Sequence, residues 1–152
     1  VKGTIGTPDW TKPIVDASPE PRVGTQVIGG NADNGWDVDV FWCEGPASDK
    51  NYGQAVKAAA VLARAANSRQ ALAPGVLLGR VRIVSLSLAR QKTGQFIMGA
   101  HYVAEDGGEG EHAAATAIAN AVKERTGAIY SIRSSDGART QSYISVFACA
   151  MK

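Results

Sequence analysis

The sequence predicts an α+β fold, on the basis of three observations. Several short segments alternate apolar and polar residues, which is the period of a β-strand. Two alanine-rich segments, near residues 52–66 and 112–125, repeat their apolar residues at helical spacing. Each of these segments follows a strand and a glycine-bearing acidic loop, so the chain forms two similar halves with one added strand. The order β-α-β-β-α-β-β is the ferredoxin-like split βαβ plan, with two helices on one face of an antiparallel sheet.

Proline content divides the chain near residue 35. Four of the six prolines lie within the first 21 residues, in stretches such as ASPEPRVG. Because proline has a restricted backbone and no amide hydrogen, it interrupts regular elements. We therefore expect residues 1–35 to form an extended arm or linker, in which VGTQVIGG is a candidate short strand. Residues 36–152 then form the ferredoxin-like domain.

The first strand of this domain is predicted at WDVDVFWC. Alternation places two sets of four residues on opposite faces: Trp36, Val38, Val40 and Trp42 against Asp37, Asp39, Phe41 and Cys43. A helix follows from about Tyr52, and the side chain of Ser48, Asp49 or Asn51 is suited to cap it. LLGRVRIVSLSL and QFIMGAHYVAE then predict two strands that pair as a hairpin.

The second half of the domain repeats this arrangement. A helix is predicted from about His112 to Arg125, with Gly127 suited to a left-handed helix end. AIYSIRSS and TQSYISVFACA are predicted to form a last hairpin.

Composition and charge limit the classes of function. The chain is 45% hydrophobic and 20% charged, which is typical of one globular domain. With 16 Lys and Arg against 14 Asp and Glu, the net charge of +2 is too small for the dense counterion release that drives nucleic-acid binding. We therefore expect neither a nucleic-acid partner nor a membrane span, since no apolar stretch is long enough to cross a bilayer. The start at Val1, without a basic and apolar leader, leads us to expect a processed protein or a fragment.

The two cysteines allow two different hypotheses. Cys43 and Cys149 end similar stretches, VFWC and VFAC, so neighbouring strands would let them form a disulfide. Alternatively, Cys43 is a thiolate nucleophile activated by His101, as in a small cysteine-dependent enzyme. We favour the disulfide, because a cysteine on a strand that packs in the core is usually structural.

Other candidate sites carry weaker signals. Asp37 and Asp39 share a strand face near Glu44, but no further ligand accompanies them, and the sequence predicts no metal and no cofactor. KTGQFIMGAHYV is similar to an RNA-recognition strand, although Phe96 and Tyr102 do not fall at the required alternate positions. An RNA-binding or ligand-binding regulatory domain therefore stays as an alternative.

The two halves, DVDVFWCEG with NYGQAVKAAAVLARAA and QFIMGAHYVAEDGGEGEHAAATAIANAVKERTG, resemble the SPOR-type and LytR-C-terminal-type modules of bacterial envelopes. The resemblance covers about residues 36–133 and consists of element order and alanine-rich helices. It implies an exported accessory domain tethered by a proline-rich arm. The localisation it implies is periplasmic or extracellular, with the cytoplasm as the alternative.

The leading functional hypothesis is a non-catalytic binding or assembly module, since the residues form no catalytic constellation. Its partner is expected to be a protein or a cell-wall component that contacts the sheet face or a sheet edge. Sheet edges also offer a route to homo-oligomers. The candidate binding residues are Trp42, Tyr102, Arg80 and Arg82.

Overall fold

The computed structural model describes residues 24–87, 100–108, 110–134 and 142–149, and the fold is given for these residues. In chain order the elements are β1 (Thr25–Gly30), β2 (Trp36–Cys43), α1 (Ser48–Ser68), β3 (Leu78–Leu86), β4 (Tyr102–Glu105), α2 (Glu111–Thr126), β5 (Ser131–Ser134) and β6 (Tyr143–Ala148). One turn of 3-10 helix, Ala32–Asn34, connects β1 to β2. The α+β class predicted from the sequence is confirmed.

The described strands form one mixed sheet in the order β1-β3-β2-β6-β4-β5. Strand β2 is parallel to both β3 and β6, and β4 is parallel to β5. The pairs β1 with β3 and β4 with β6 are antiparallel. Each helix therefore connects two neighbouring parallel strands, in the units β2-α1-β3 and β4-α2-β5, and β6 lies between the two units.

This order differs from the ferredoxin-like arrangement, which is not confirmed, and the sheet is mixed rather than antiparallel. The two expected hairpins are wrong, because β2 and β6 separate β3 from β4, and β4 separates β5 from β6. Burial explains the arrangement. Strand β6 is apolar on both faces, with Ile144 and Val146 on one side and Phe147 on the other, so it occupies the sheet interior. Strand β5 has a single apolar residue, Ile132, and lies at an edge.

Both helices pack on the same face of the sheet, as predicted. The strand residues beneath them include Val38, Val40, Trp42, Val81, Ile83, Val103, Ile144, Val146 and Ala148. Alanines dominate the buried sides of α1 and α2, so the helices approach the sheet closely. The alternation predicted for β2 is confirmed, since Phe41 and Cys43 belong to a separate apolar cluster on the opposite face.

The helix ends differ in how well the sequence predicted them. Helix α2 lies within a residue of its expected bounds and ends at Gly127, whose φ is +79°. Helix α1 begins at Ser48 instead of near Tyr52, and no side chain caps it. Asn51, one of the expected caps, is buried and donates a hydrogen bond through Nδ2 to the carbonyl of Cys43 at 3.0 Å. This bond attaches the first turn of α1 to the end of β2.

The short strand predicted in VGTQVIGG is confirmed as β1, which pairs with β3. It ends where two glycines approach closely. A β-carbon on Gly30, whose φ is +78°, would stand 1.8 Å from the carbonyl oxygen of Gly79. Only glycine fits at this contact. Residues 1–23 of the expected arm and residues 88–99, with the first part of QFIMGAHYVAE, lie outside the described residues.

Candidate functional site

The sheet face opposite α1 and α2, here called the second face, carries most of the candidate functional side chains. Strand register divides it into two halves. A charged half consists of Asp37, Asp39, Arg80, Arg82 and Tyr143. An aromatic half consists of Phe41, Tyr102, Phe147 and the two cysteines, with Val84 and Leu86 packed among them.

The charged half is built around Asp39, which is only 5% exposed. Arg82 donates from Nε to Oδ1 at 2.7 Å and from Nη2 to Oδ2 at 2.8 Å. The hydroxyl of Tyr143 donates to Oδ2 at 2.7 Å. The hydrogen bond to Asp39 raises the pKa of Arg82, and burial, followed by the charge of Asp39, raises the pKa of Tyr143. The Asp39 carboxylate therefore accepts three hydrogen bonds, and the charge of Arg82 balances its own. This is the arrangement of a structural ion pair.

Arg80 and Asp37 form a looser pair one row away. The backbone N–H of Arg80 donates to Oδ1 of Asp37 at 3.0 Å, but the side chains approach only to 3.7 Å, between Nη2 and Oδ2. The Arg80 side chain is 33% exposed. Its Nε is buried and has no hydrogen-bond partner among the described residues, so another molecule can reach Arg80 only through the exposed part of its side chain. The side chain of Arg80 is therefore less engaged by its aspartate than that of Arg82.

An exposed apolar residue adjoins these arginines. Val27 on β1 lies directly opposite Arg82 in the β1–β3 register. Its side chain is 60% exposed, and in the described part of the chain only Ile129 is a comparably exposed large apolar residue. Opposite residues in an antiparallel pair share a face, so Val27 extends the charged half to the sheet edge. Val27 was not predicted from the sequence, because one valine in a six-residue strand gives no signal of exposure.

The aromatic half is a stack of buried rings. Phe147 on β6 lies between Phe41, with centroids 4.9 Å apart, and Tyr102, with centroids 4.6 Å apart. The planes are nearly parallel, at 11° and 13°. The guanidinium carbon of Arg133 lies 5.9 Å from the centre of the Tyr102 ring. All three rings are buried, so this half contributes to stability and offers little contact surface.

Cys43 and Cys149 close one end of the aromatic half. Their Cα atoms are 4.9 Å apart and the two residues form a disulfide, as favoured from the sequence. His101 lies beside this bond and accepts a hydrogen bond at Nδ1 from the backbone N–H of Cys149, at 3.2 Å. Its ring stacks on Tyr130 with centroids 5.1 Å apart. Burial lowers the pKa of His101, so the ring is neutral near pH 7.

This geometry bears directly on the hypothesis of a cysteine-dependent enzyme. Thiol catalysis requires a free thiolate, and the structure has Cys43 bonded to Cys149. His101 does reach the cysteine pair, but its hydrogen bond is to a backbone amide. The pair therefore has the arrangement of a structural disulfide.

The four candidate binding residues lie in three different places. Trp42 faces the helices and contacts Tyr52 edge-on at 5.4 Å between centroids. Tyr102 is buried in the aromatic half, and only Arg80 and Arg82 share the charged half. The structure thus brings the two arginines together and separates them from the two aromatic residues. Their roles in binding stay predictions.

A buried carboxyl group lies outside this face, where β4 leads into α2. Glu111 is 3% exposed, and its Oε1 accepts a hydrogen bond from the Asp106 backbone N–H at 2.9 Å. Burial, and next a side-chain hydrogen bond with Asp106, raise the pKa of Glu111 to about 7. Glu105 pairs with His112 beside it. The sequence shows an acidic loop here, but its pattern does not reveal which carboxyl group is buried.

The described ranges contain neither a candidate metal-binding cluster nor a candidate membrane-spanning helix. No group of three or more His, Cys, Asp or Glu residues within them is arranged to hold a metal ion. No helix in the same ranges has the length and apolar character needed to cross a membrane.

Comparisons with known proteins add no family to this description. No family model, curated protein or solved structure matched the chain.

Proposed function

We propose that this chain is a non-catalytic binding or assembly module whose partner docks on the charged half of the second face, around Val27, Arg80 and Arg82. The observation that carries the proposal is the exposed valine beside two arginines. Arginine is enriched at protein interfaces, and an apolar side chain that a partner covers provides binding free energy. The proposal commits to a protein partner with an acidic group at its contact surface.

Arg80 is the anchor for that acidic group. Arg82 already forms a two-bond pair with Asp39, whereas Nη2 of Arg80 makes only one long contact, to Asp37. A carboxylate of the partner would accept hydrogen bonds from the two terminal nitrogens of Arg80, one of the bidentate geometries that guanidinium groups favour. Asp37, which is 25% exposed, then acts as a weak competitor for Arg80.

The disulfide supports an oxidising compartment. Structural disulfides are characteristic of secreted and periplasmic proteins and are uncommon in the cytosol. The pair Cys43–Cys149 therefore fits an extracellular protein. Together with the resemblance to SPOR-type and LytR-C-terminal-type modules, this supports the proposal of an exported bacterial envelope accessory domain.

The test compares two exposed apolar sites. Immobilised wild-type protein is used to capture proteins from bacterial envelope extracts, with cell-wall material tested in parallel. The same assay is run with V27S/R80Q and with I129S, which removes the other exposed apolar side chain, 71% exposed and located between α2 and β5. We expect V27S/R80Q to weaken capture of the partner by at least about tenfold, the effect of losing one hydrogen bond to a charged group, while I129S binds normally.

Equal binding by V27S/R80Q and wild type would show that the charged half is not the contact surface. Capture of cell-wall material alone would overturn the choice of a protein partner. Turnover of a thioester or peptide by the oxidised protein would contradict the non-catalytic assignment.

A further inference from the structure

A line of exposed cations runs along α1, on the opposite side of the molecule from the second face. Lys50, Lys57 and Arg64 occur at intervals of seven residues, and all three are exposed. At about 100° per residue, positions seven apart differ by only about 20° around a helix, so the three side chains share one direction. Arg64 is nine residues from Ala55, which is buried against the sheet. These cations, here called the basic stripe, therefore point directly away from the sheet.

The basic stripe is not neutralised by its own helix. Asp49 is the only acidic residue of α1. Within the described residues, none of the three cations forms an ion pair. The stripe is a local concentration of positive charge on a protein whose net charge is only +2.

The shape of the stripe favours a flat partner. A helix rises about 1.5 Å per residue, so the three cations span about 21 Å on the crest of α1. Gly53 and Ala60 lie on the same side of the helix between them. Small residues let a surface approach the crest, and the long Lys and Arg side chains reach outward from it. A crest has no walls to hold a polymer strand, whereas a planar array of mobile charges can contact all three cations.

We propose that the basic stripe binds an anionic lipid bilayer from outside, as a peripheral electrostatic contact. A Lys or Arg near an anionic membrane contributes a partition factor of about fivefold, and the effect falls with added salt. The contact places α1 on the bilayer and leaves the charged half of the second face, on the other layer of the molecule, available to another partner. It does not depend on the function proposed above.

The experiment measures sedimentation of the full chain with lipid vesicles. Vesicles of zwitterionic phosphatidylcholine are compared with vesicles that also contain anionic phosphatidylglycerol, at low and at high salt. We expect binding only to the anionic vesicles, with loss at high salt. K57Q/R64Q should bind about 25-fold more weakly, because two contributions of about fivefold are lost. Glutamine keeps a helix propensity close to that of Lys and Arg, so the variant is expected to fold.

A matched control restores the net charge elsewhere. Thr25 and Ser134 are exposed residues of β1 and β5. K57Q/R64Q/T25K/S134K carries the wild-type charge without the stripe, and we expect it to bind as weakly as K57Q/R64Q. Recovery of binding in this control would show a general charge effect and overturn the proposal. The proposal would also be wrong if wild type failed to bind anionic vesicles, or if it preferred a soluble polyanion such as heparin to them.

Discussion

The charged half and the aromatic half of the second face lie on the same central strands but fill their positions in different ways. In the charged half, the buried carboxylate of Asp39 accepts hydrogen bonds from Arg82 and Tyr143. In the aromatic half, Phe147 is buried by stacked rings and a disulfide. Arg80 stays partly exposed and Val27 exposed in the charged half, whereas the rings of the aromatic half close over one another. One face of the sheet therefore combines a region that keeps polar and apolar side chains at the surface with a region whose side chains bury one another.

The largest effect is expected from the disulfide of the aromatic half. Its cysteines are separated by 106 residues, so the bond constrains a long loop of the unfolded chain. Removal in C43A/C149A should lower the free energy of unfolding by about 5 kcal/mol, the order expected from loop-closure entropy for a loop of that size. Urea unfolding followed by circular dichroism measures this change. Equal urea midpoints for wild type and variant would show that the disulfide does not stabilise the fold.

The next effect tests the charged half through two aspartates of the same strand. D39A leaves Arg82 without its buried partner and should cost about 3 kcal/mol. D37A removes a partly exposed acceptor with one good hydrogen bond and should cost about 1 kcal/mol. Urea unfolding of wild type and both variants measures the two losses of unfolding free energy, which can then be compared. If D37A proved as costly as D39A, burial would not be what separates the two pairs.

A smaller, pH-dependent effect is expected from Glu111, a buried carboxyl group outside the second face whose neighbours are Asp106 and Glu105. The folded state raises the pKa of Glu111 from 4.5 to about 7, so between these values the folded protein binds more protons than the unfolded chain. Stability should therefore fall as pH rises from about 4.5 to about 7, by an amount on the order of 2 kcal/mol.

The variant E111Q cannot ionise at this position and is the reference for that experiment. Unfolding free energies of wild type and E111Q are measured at several pH values between 4.5 and 7.5. The advantage of wild type over E111Q should decrease across this range. A difference between the two proteins that stays constant with pH would rule out the titration of Glu111.

The smallest effect concerns the ring stack. F147L removes the ring that contacts both Phe41 and Tyr102 and should cost about 1.5 kcal/mol, from lost aromatic contacts and imperfect repacking. F41L removes one stacked contact and should cost less. The double variant F41L/F147L then measures the coupling between the rings by urea unfolding. Additive costs would mean that the stacked geometry contributes nothing beyond burial.

The sequence predicted the elements well because their signals are local. The alternation in WDVDVFWC assigned both faces of β2, and Gly127 marked the end of α2. Strand order depends on which strands meet, and alternation does not encode this. The polarity of β5 and the apolar character of β6 on both faces were the available signals for the edge and interior positions.

The candidate site was predicted less completely. Spacing placed Arg80 and Arg82 near each other, but the different roles of their guanidinium groups depend on Asp37 and Asp39 in another strand. Trp42 was a candidate because it is aromatic, yet its side of β2 is covered by α1. Partners distant in the sequence decide these roles, and a single sequence does not reveal them.

The position of β6 between the two βαβ units has a consequence for the order of folding. Each unit pairs strands that are close in sequence, whereas β6 pairs with β2 across more than 100 residues. Contacts of such long range close large loops and form slowly. The two units can therefore assemble first, with β6 docking later as the piece that joins them. Because Cys149 directly follows β6, the rate at which the disulfide forms should report on this docking step.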